Sequence, residues 1–403
     1  FGHNVLRQVS EILKSQLLKQ EQCYIGDGGL FYLVSWDVSK EKVESRLKEL
    51  IEKIQAGDCA QGKYNIQLSA GAYWHLINKE NVGEGTLSLS SVSLPAMDSF
   101  IDTDSHWPEN FFTKARAALK QLKISDKGGV RFFDDNLAEK IRTEKLLENN
   151  FQQALENNEF VLYYQPKYGI KGAEPELHGA EALIRWISPE YGFLSPGRFI
   201  PLFERDGNLE ILDRHVLKLA CRQLRQWLDA GYKAVPISVN ISRRNIVGGN
   251  NFLAYALDVL AEYQIPINLI QLEILETDAS VDSKLLIRFL QIFKSSGFSL
   301  AMDDFGSGYS SLGMFNSMPI DCLKLDKSFF DSWQPDMSER DSCLIKYMIK
   351  AAHDTGRTVV AEGIEEKFQV DLLRQYDCDM IQGYYFSKPL PAEEFASKMH
   401  KRV

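Results

Sequence analysis

The sequence predicts an α/β protein whose larger, C-terminal part is a (β/α)8-type barrel with one antiparallel first strand, preceded by a smaller α+β domain. Three observations carry this. From residue 160 onward, short apolar runs recur with amphipathic segments between most of them. Eight such runs over roughly 250 residues match the size of a closed parallel barrel. The link "GIKGAEP" between the first two runs is too short for a parallel crossover, which takes about a dozen residues or more. The first pair is therefore expected to be antiparallel.

In chain order, residues 1–134 read as mixed α and β. "NVLRQVSEILKSQLL" and "KEKVESRLKELIEKIQ" carry helical periodicity, "GGLFYLVSW" and "YNIQLSAGAYW" read as strands, and "ENFFTKARAALKQLK" resumes a helix. Between them, "VGEGTLSLSSVSLPAMDS" is rich in Ser and Gly and reads as a loop or insertion. Residues 135–158 form one polar-apolar helix linking to the barrel, whose domain is set at 159–403; its charged faces read as solvated. The barrel strands begin near residues 160, 178, 235, 270, 299, 321, 358 and 380, and "LDRHVLKLACRQLRQWLDAG" and "SCLIKYMIKAAHDTG" are typical of the helices between.

Composition bounds the function. The 403 residues are 44% apolar and 25% charged, as in ordinary globular proteins. A net charge of −9 argues against DNA or RNA as the partner. It leaves a phosphate substrate open, because bound divalent cations reverse local charge. Cys23, Cys59, Cys221, Cys322, Cys343 and Cys378 are scattered with neither CxxC nor zinc spacing, the pattern of unpaired thiols in a reducing cytoplasm. No apolar run is long enough to span a bilayer and no signal peptide is evident. The chain opens on "FGHNVLRQVSEIL", already helix-like and without an initiator Met, so a longer parent is expected, with any membrane tether placed in the region preceding this sequence.

Chemistry in such barrels collects at the carboxyl ends of the strands. There the sequence places Glu181 and Arg185 (second strand), Asn240 (third), Glu273 and Glu276 (fourth), Asp303 and Asp304 (fifth), Lys324 and Asp326 (sixth), Glu362 (seventh) and Gln382 (eighth). Each has a structural reading. Asp-Asp before Gly-Ser-Gly is a solvated strand end, Glu276 braces that loop, Asp326 caps the segment "KSFFD", Lys324 is a salt-bridge partner, and Arg185 neutralises Glu181. Taken together, so many acids converging on one rim repel one another, and divalent cations relieve that repulsion. All-oxygen donors favour Mg2+ or Mn2+, and two such ions about 3.5–4 Å apart suit phosphodiester hydrolysis. Neighbouring Asp303 and Asp304 would then face two different ions.

These residues also sit in recognisable motifs. "EALIRW" (181–186), "SVNIS" (238–242), "LEILE" (272–276), "DDFGSGYSSL" (303–312), "CLKLD" (322–326), "AEGIE" (361–365) and "QGYYFSKP" (382–389) resemble, in order and spacing, the motifs of the EAL domain over roughly residues 145–403. The resemblance implies a cyclic di-GMP phosphodiesterase releasing linear pGpG, with Mg2+ or Mn2+ in a two-metal site. By position, Glu181, Asn240, Glu273, Asp303 and Glu362 resemble metal ligands and Asp304 the ligand of the second ion. Lys324 resembles the residue that orients or deprotonates the attacking water, and Gln382 its helper. Arg185 resembles the phosphate-binding Arg, Gln165 and Leu183 substrate-pocket residues, and Glu276 the glutamate holding the loop after the fifth strand. Ser307 stands where Thr is commoner. No catalytic position is substituted, unlike in EAL proteins that only bind the nucleotide, so a non-hydrolysing cyclic di-GMP receptor is the alternative; a two-metal hydrolase acting on another phosphodiester is a third reading. The resemblance also implies pairing of two copies through the barrel.

The first 134 residues more weakly resemble a GGDEF domain through "FGHNVLRQVSEIL", "YIGDGGLFYLV", "IQLSAGAYW" and "ARAALKQLK". Its signature reads "DGGLF" at 27–31, with Leu30 in an acidic position. No RxxD motif precedes it, and the early strand with a metal-binding Asp is missing. A domain without synthase activity is implied, with a nucleotide-binding or regulatory role and pure scaffolding as the open alternatives.

Overall fold

The computed structural model describes residues 2–25, 29–35, 39–56, 68–73, 109–122, 129–247, 252–275, 283–306, 317–337 and 339–401. The Ser/Gly-rich stretch at 82–99, part of the "DGGLF" signature, Cys59, Glu276, Ser307 and the rest of the loop 307–316 lie outside these residues. The chain divides into two units, 1–143 and 144–403.

In the first unit, β1 (Glu21–Ile25) pairs antiparallel with β2 (Phe31–Ser35) across the segment that carries Leu30. β3 (Ala70–Ala72) pairs parallel with β4 (Val130–Phe132). Helices Gly2–Ser15, Lys40–Ala56 and Glu109–Lys120 match the predicted helical segments. Val9 and Leu13 of the first meet Leu50 and Ile54 of the second in a small core. Glu21, buried at the start of β1, is held by Arg46 at 2.9 Å. The strands β1 and β4 were not expected from the sequence; both are short and mix charged with apolar residues.

The second unit is an eight-stranded barrel. Its strands are β5 (Phe160–Gly169), β6 (Glu176–Ser188), β8 (Ile237–Asn240), β9 (Ile270–Leu275), β10 (Ser299–Phe305), β11 (Cys322–Leu325), β12 (Thr358–Glu362) and β13 (Met380–Gln382). They hydrogen-bond in the order β5-β13-β12-β11-β10-β9-β8-β6, and β6 returns to β5 to close the sheet. Two short strands, β7 (Gly192–Leu194) and β14 (Leu390–Pro391), attach at β6 and β5. As the short link required, β5 runs antiparallel to β6, and also to β13; the other barrel pairs are parallel.

The helix Asp135–Glu156 crosses the division between the units, and its second half buries Leu147, Phe151 and Ala154 in the barrel core. There Phe160 is a hub, within 6.3 Å of Phe151, Trp186, Phe199 and His215 by ring centroids. Trp186 keeps its indole N–H satisfied on Glu159 Oε2 at 2.8 Å. Phe160→Ala is expected to cost about 3–5 kcal/mol of unfolding free energy, read from the shift in a urea transition.

Candidate active site

Side chains on a strand alternate between faces, so every second residue of a barrel strand points inward. Ala301, Cys322 and Val360, with Met380 against them, form an apolar plug inside the barrel. Two residues further along the same four strands, on the same face, come Asp303, Lys324, Glu362 and Gln382. The period of two therefore lifts the polar site one level above its apolar floor. The same step on β8 and β9 leads from Ser238 to Asn240 and from Gln271 to Glu273, and register places Asn240 beside Glu273 and Glu362 beside Gln382. On antiparallel β5 the order inverts, and Gln165 stands opposite Glu181 of β6.

Lys324 is the centre of this ring. It is 0% exposed. Its Nζ lies 3.1 Å from Glu181 Oε2, 2.8 Å from Glu273 Oε2, 2.7 Å from Asp303 Oδ1 and 2.8 Å from Glu362 Oε1. Asn240 Nδ2 donates to Glu181 Oε1 at 2.8 Å. Gln382 Nε2 donates to Glu181 Oε2 at 2.6 Å and to Gln165 Oε1 at 3.2 Å.

Asp304 joins the ring by a backbone device. A neighbour of Asp303 on a regular strand would point outward. The β10–β11 pairing instead shifts register between Met302 and Phe305, and Asp304 adopts a left-handed φ of 53°. Asp304 N–H donates to Asp303 Oδ1 at 3.0 Å. Carboxylate oxygens of Glu181, Glu273 and Asp303 lie within 4.8 Å of one another, as do those of Asp303, Asp304 and Glu362. Asp303 belongs to both groups.

The electrostatics show a site with surplus negative charge. Burial pushes Asp303 up to about 7 despite Lys324, with Glu273 and Glu181 adding to the rise. Burial likewise lifts Glu362 to about 8, against the pull of Lys324. Asp304 is raised by burial and by Asp326. Glu273 goes the other way: burial raises it, but Lys167 and Lys324 together outweigh burial and hold it at about 2. The surrounding carboxylates keep Lys324 well above the usual lysine range, overcoming its burial. The five carboxylates of Glu181, Glu273, Asp303, Asp304 and Glu362 face two ammonium groups, Lys324 and Lys167, which leaves three negative charges uncompensated when all are ionised. Gln382 Oε1, buried in the same ring, accepts no hydrogen bond among the described residues. An oxygen-rich donor set, surplus negative charge and an idle buried acceptor together fit a hard divalent cation.

The EAL domain family profile matches residues 148–389. The chain belongs to the EAL domain family. It is 35% identical over 300 residues to the cyclic di-GMP phosphodiesterase NbdA of Pseudomonas aeruginosa, covering 74% of this chain and 38% of that protein. It is 34% identical over 285 residues to the oxygen sensor protein DosP of Escherichia coli, covering 71% of this chain and 35% of that protein. The chain thus spans little more than a third of the length of these relatives. Among solved structures, the PaMucR phosphodiesterase in its c-di-GMP complex is similar at 31% identity and a TM-score of 0.57, over 62% of this chain and 99% of that one. An EAL domain protein of Listeria monocytogenes is similar at 30% identity and a TM-score of 0.52.

Several expectations for the EAL barrel resolve here. Asp326 caps the turn Lys327–Phe329, its side chain accepting from Ser328 N–H at 3.0 Å, as its structural reading required. Arg185 is not in ion-pair contact with Glu181, which acts on it only at longer range. Its guanidinium lies over the Tyr163 ring at 5.5 Å, and Nη1 donates to Ile184 O at 2.9 Å. Among the described residues no carboxylate lies within ion-pair distance of Arg185. Leu183 sits beside Tyr163 at the same level of the rim. Phe193 of β7 packs its ring against Tyr163 at 6.0 Å while remaining 55% exposed.

Sequence reading missed Lys167, a buried lysine on β5 whose Nζ lies 2.6 Å from Glu273 Oε1. Its spacing of two from Gln165 placed it on the inner face, but in "YYQPKY" the lysine is flanked by Pro and Tyr and looks like a strand-edge residue. No helix among the described residues is long and apolar enough to cross a membrane. Cys23, Cys221, Cys322, Cys343 and Cys378 are unpaired.

Proposed function

We propose that the chain hydrolyses cyclic di-GMP to linear pGpG in a reaction that depends on Mg2+ or Mn2+. The observation that carries this reading is the pair of carboxylate groups sharing Asp303 around Lys324, in a member of the EAL family. The c-di-GMP complex of the similar PaMucR phosphodiesterase supports the choice of substrate.

Glu181, Asn240, Glu273, Asp303 and Glu362 would hold one ion, and Asp304, with Asp303 and Glu362, the second. When bound, such ions supply Lewis-acid stabilisation of phosphoryl charge and acidify water. The remaining work falls to the chain. Lys324, held as an ammonium by its carboxylates, acts as a donor that orients the attacking water rather than as its base. Gln382, with Oε1 idle, accepts a hydrogen bond from that water or from the substrate. Arg185 engages a phosphate; Gln165 and Leu183 line the pocket; the exposed Phe193 ring beside Tyr163 offers a face for a nucleobase. Glu276 bracing the loop after β10 is part of the same reading.

Because no carboxylate is in ion-pair contact with Arg185 in the free protein, Arg185→Ala is expected to raise KM for cyclic di-GMP about tenfold or more, as for loss of a charge-assisted hydrogen bond, with a smaller effect on kcat. Steady-state kinetics at saturating Mn2+ would read the split. Residues 1–134 we read as an inactive GGDEF-like regulator joined through the helix 135–158 to a phosphodiesterase barrel at 159–403. The β1–β2 hairpin with Leu30 in the acidic position supports this. Incubation with GTP and Mg2+ should give neither cyclic di-GMP nor pGpG; the appearance of either would refute that reading. Pairing of two copies through the barrel belongs to the same proposal and is tested by sedimentation with and without residues 1–134.

Chromatography of cyclic di-GMP incubated with the protein tests the main reading. Metal-dependent appearance of pGpG supports it. Tight binding of the nucleotide without product would point to the receptor alternative.

A further inference from the structure

Below the acidic ring lies a second polar course that the roles above leave unused. Lys167 is 3% exposed, and its Nζ donates both to Glu273 Oε1 and to Ser238 Oγ, each at 2.6 Å. Ser238 Oγ donates its single proton to Gln271 Oε1 at 2.8 Å. Gln271 Nε2 in turn donates to Ser299 Oγ at 3.0 Å. The directions are mutually consistent: an ammonium can only donate, so Ser238 offers it a lone pair and passes its own proton onward. Residues of β5, β8, β9 and β10 thus pin one ammonium in place.

The consequence falls on Glu273, which is 0% exposed. Its two oxygens are divided between two lysines, Oε1 to Lys167 and Oε2 to Lys324 at 2.8 Å. We infer that Lys167 is a positioning residue: by holding Oε1 of Glu273 it fixes how this carboxylate is turned toward a divalent cation held with Glu181 and Asp303. The inference rests on the metal-dependent reading above. Partners that hydrogen-bond a ligating carboxylate fix its orientation, and their loss commonly costs 10–100-fold in metal affinity or activity.

A purely electrostatic role for Lys167 makes the opposite prediction. Removing a positive charge beside a cation site strengthens cation binding, whereas removing an orienting bond weakens it. Mn2+ titration of the full chain, followed by electron paramagnetic resonance, separates the two. In Lys167→Met the Kd for Mn2+ is expected to rise 10–100-fold. In Ser238→Ala, which keeps the charge and removes only its anchor, it should rise several-fold. Mn2+ bound by Lys167→Met as tightly as by the parent protein, or more tightly, would overturn the inference. Should Lys167→Met fail to fold, Ser238→Ala decides alone, an unchanged Kd counting against the inference. If the parent protein binds no Mn2+, the metal-dependent reading itself fails and takes this inference with it; if the parent binds and the variants are unaffected, only the inference fails.

Discussion

Asp303→Asn is expected to lower turnover of cyclic di-GMP by more than a hundredfold while leaving the metal-free protein at least as stable as the parent. Asp303 alone belongs to both carboxylate groups, so its charge serves both proposed ions. Loss of one such group exceeds the roughly 10–100-fold typical of outer-shell partners. Stability should move the other way. Burial raises the Asp303 carboxyl to about 7, above its value in an unfolded chain. The folded state therefore binds a proton that the unfolded state releases, and this group lowers stability as pH rises from about 4 toward 7. Asn removes that burden while keeping the shape. In EDTA at pH 8 the melting temperature of the variant should equal or exceed that of the parent, and the advantage should narrow on acidification toward pH 5. A variant that is inactive and also much less stable at pH 8 would mean that Asp303 acts as scaffold.

Lys324→Met should have the largest combined effect. Its ammonium is within 3.1 Å of four buried carboxylates. Removing one partner of a buried ionic cluster typically costs about 3–5 kcal/mol; here Glu273 would keep Lys167, while Glu181, Asp303 and Glu362 would lose the ammonium they share. Urea unfolding in EDTA should show a loss of that order. Added Mn2+ should recover part of the stability, since a divalent cation replaces the missing charge, but not the activity, since the oriented donor is gone. Full activity in Lys324→Met would remove it from the reaction; unchanged stability in EDTA at pH 9, above the raised values of Asp303 and Glu362, would mean that Lys324 does not hold the ring together.

These two residues also show what the sequence could and could not reveal. The barrel was legible because its strands are short apolar runs separated by helical periodicity, and the antiparallel strand because "GIKGAEP" cannot make a crossover. The acidic ring was legible because charged residues recur where buried strands should be apolar. Reading it that way found Glu181, Glu273, Asp303, Lys324 and Glu362. That Asp304 joins Asp303 was expected from a turn at the strand end, but the device was not legible: alternation would send it outward, and its left-handed backbone and the break in β10–β11 register return it to the rim. Lys167 escaped because its function depends on a partner more than a hundred residues away, on β9. The strands β7 and β14 are too short for periodicity to mark. Arg185, four residues after Glu181, looked like its close ion-pair partner, but its guanidinium lies over Tyr163 and Glu181 acts on it only at longer range.

The most direct test of the central claim is a chromatographic assay of the purified chain with cyclic di-GMP in Mg2+, in Mn2+ and in EDTA, with Asp303→Asn as control. The account predicts linear pGpG from the parent chain in either metal, none in EDTA, and almost none from the variant. Product that persists in EDTA, or equal product from Asp303→Asn, would contradict it.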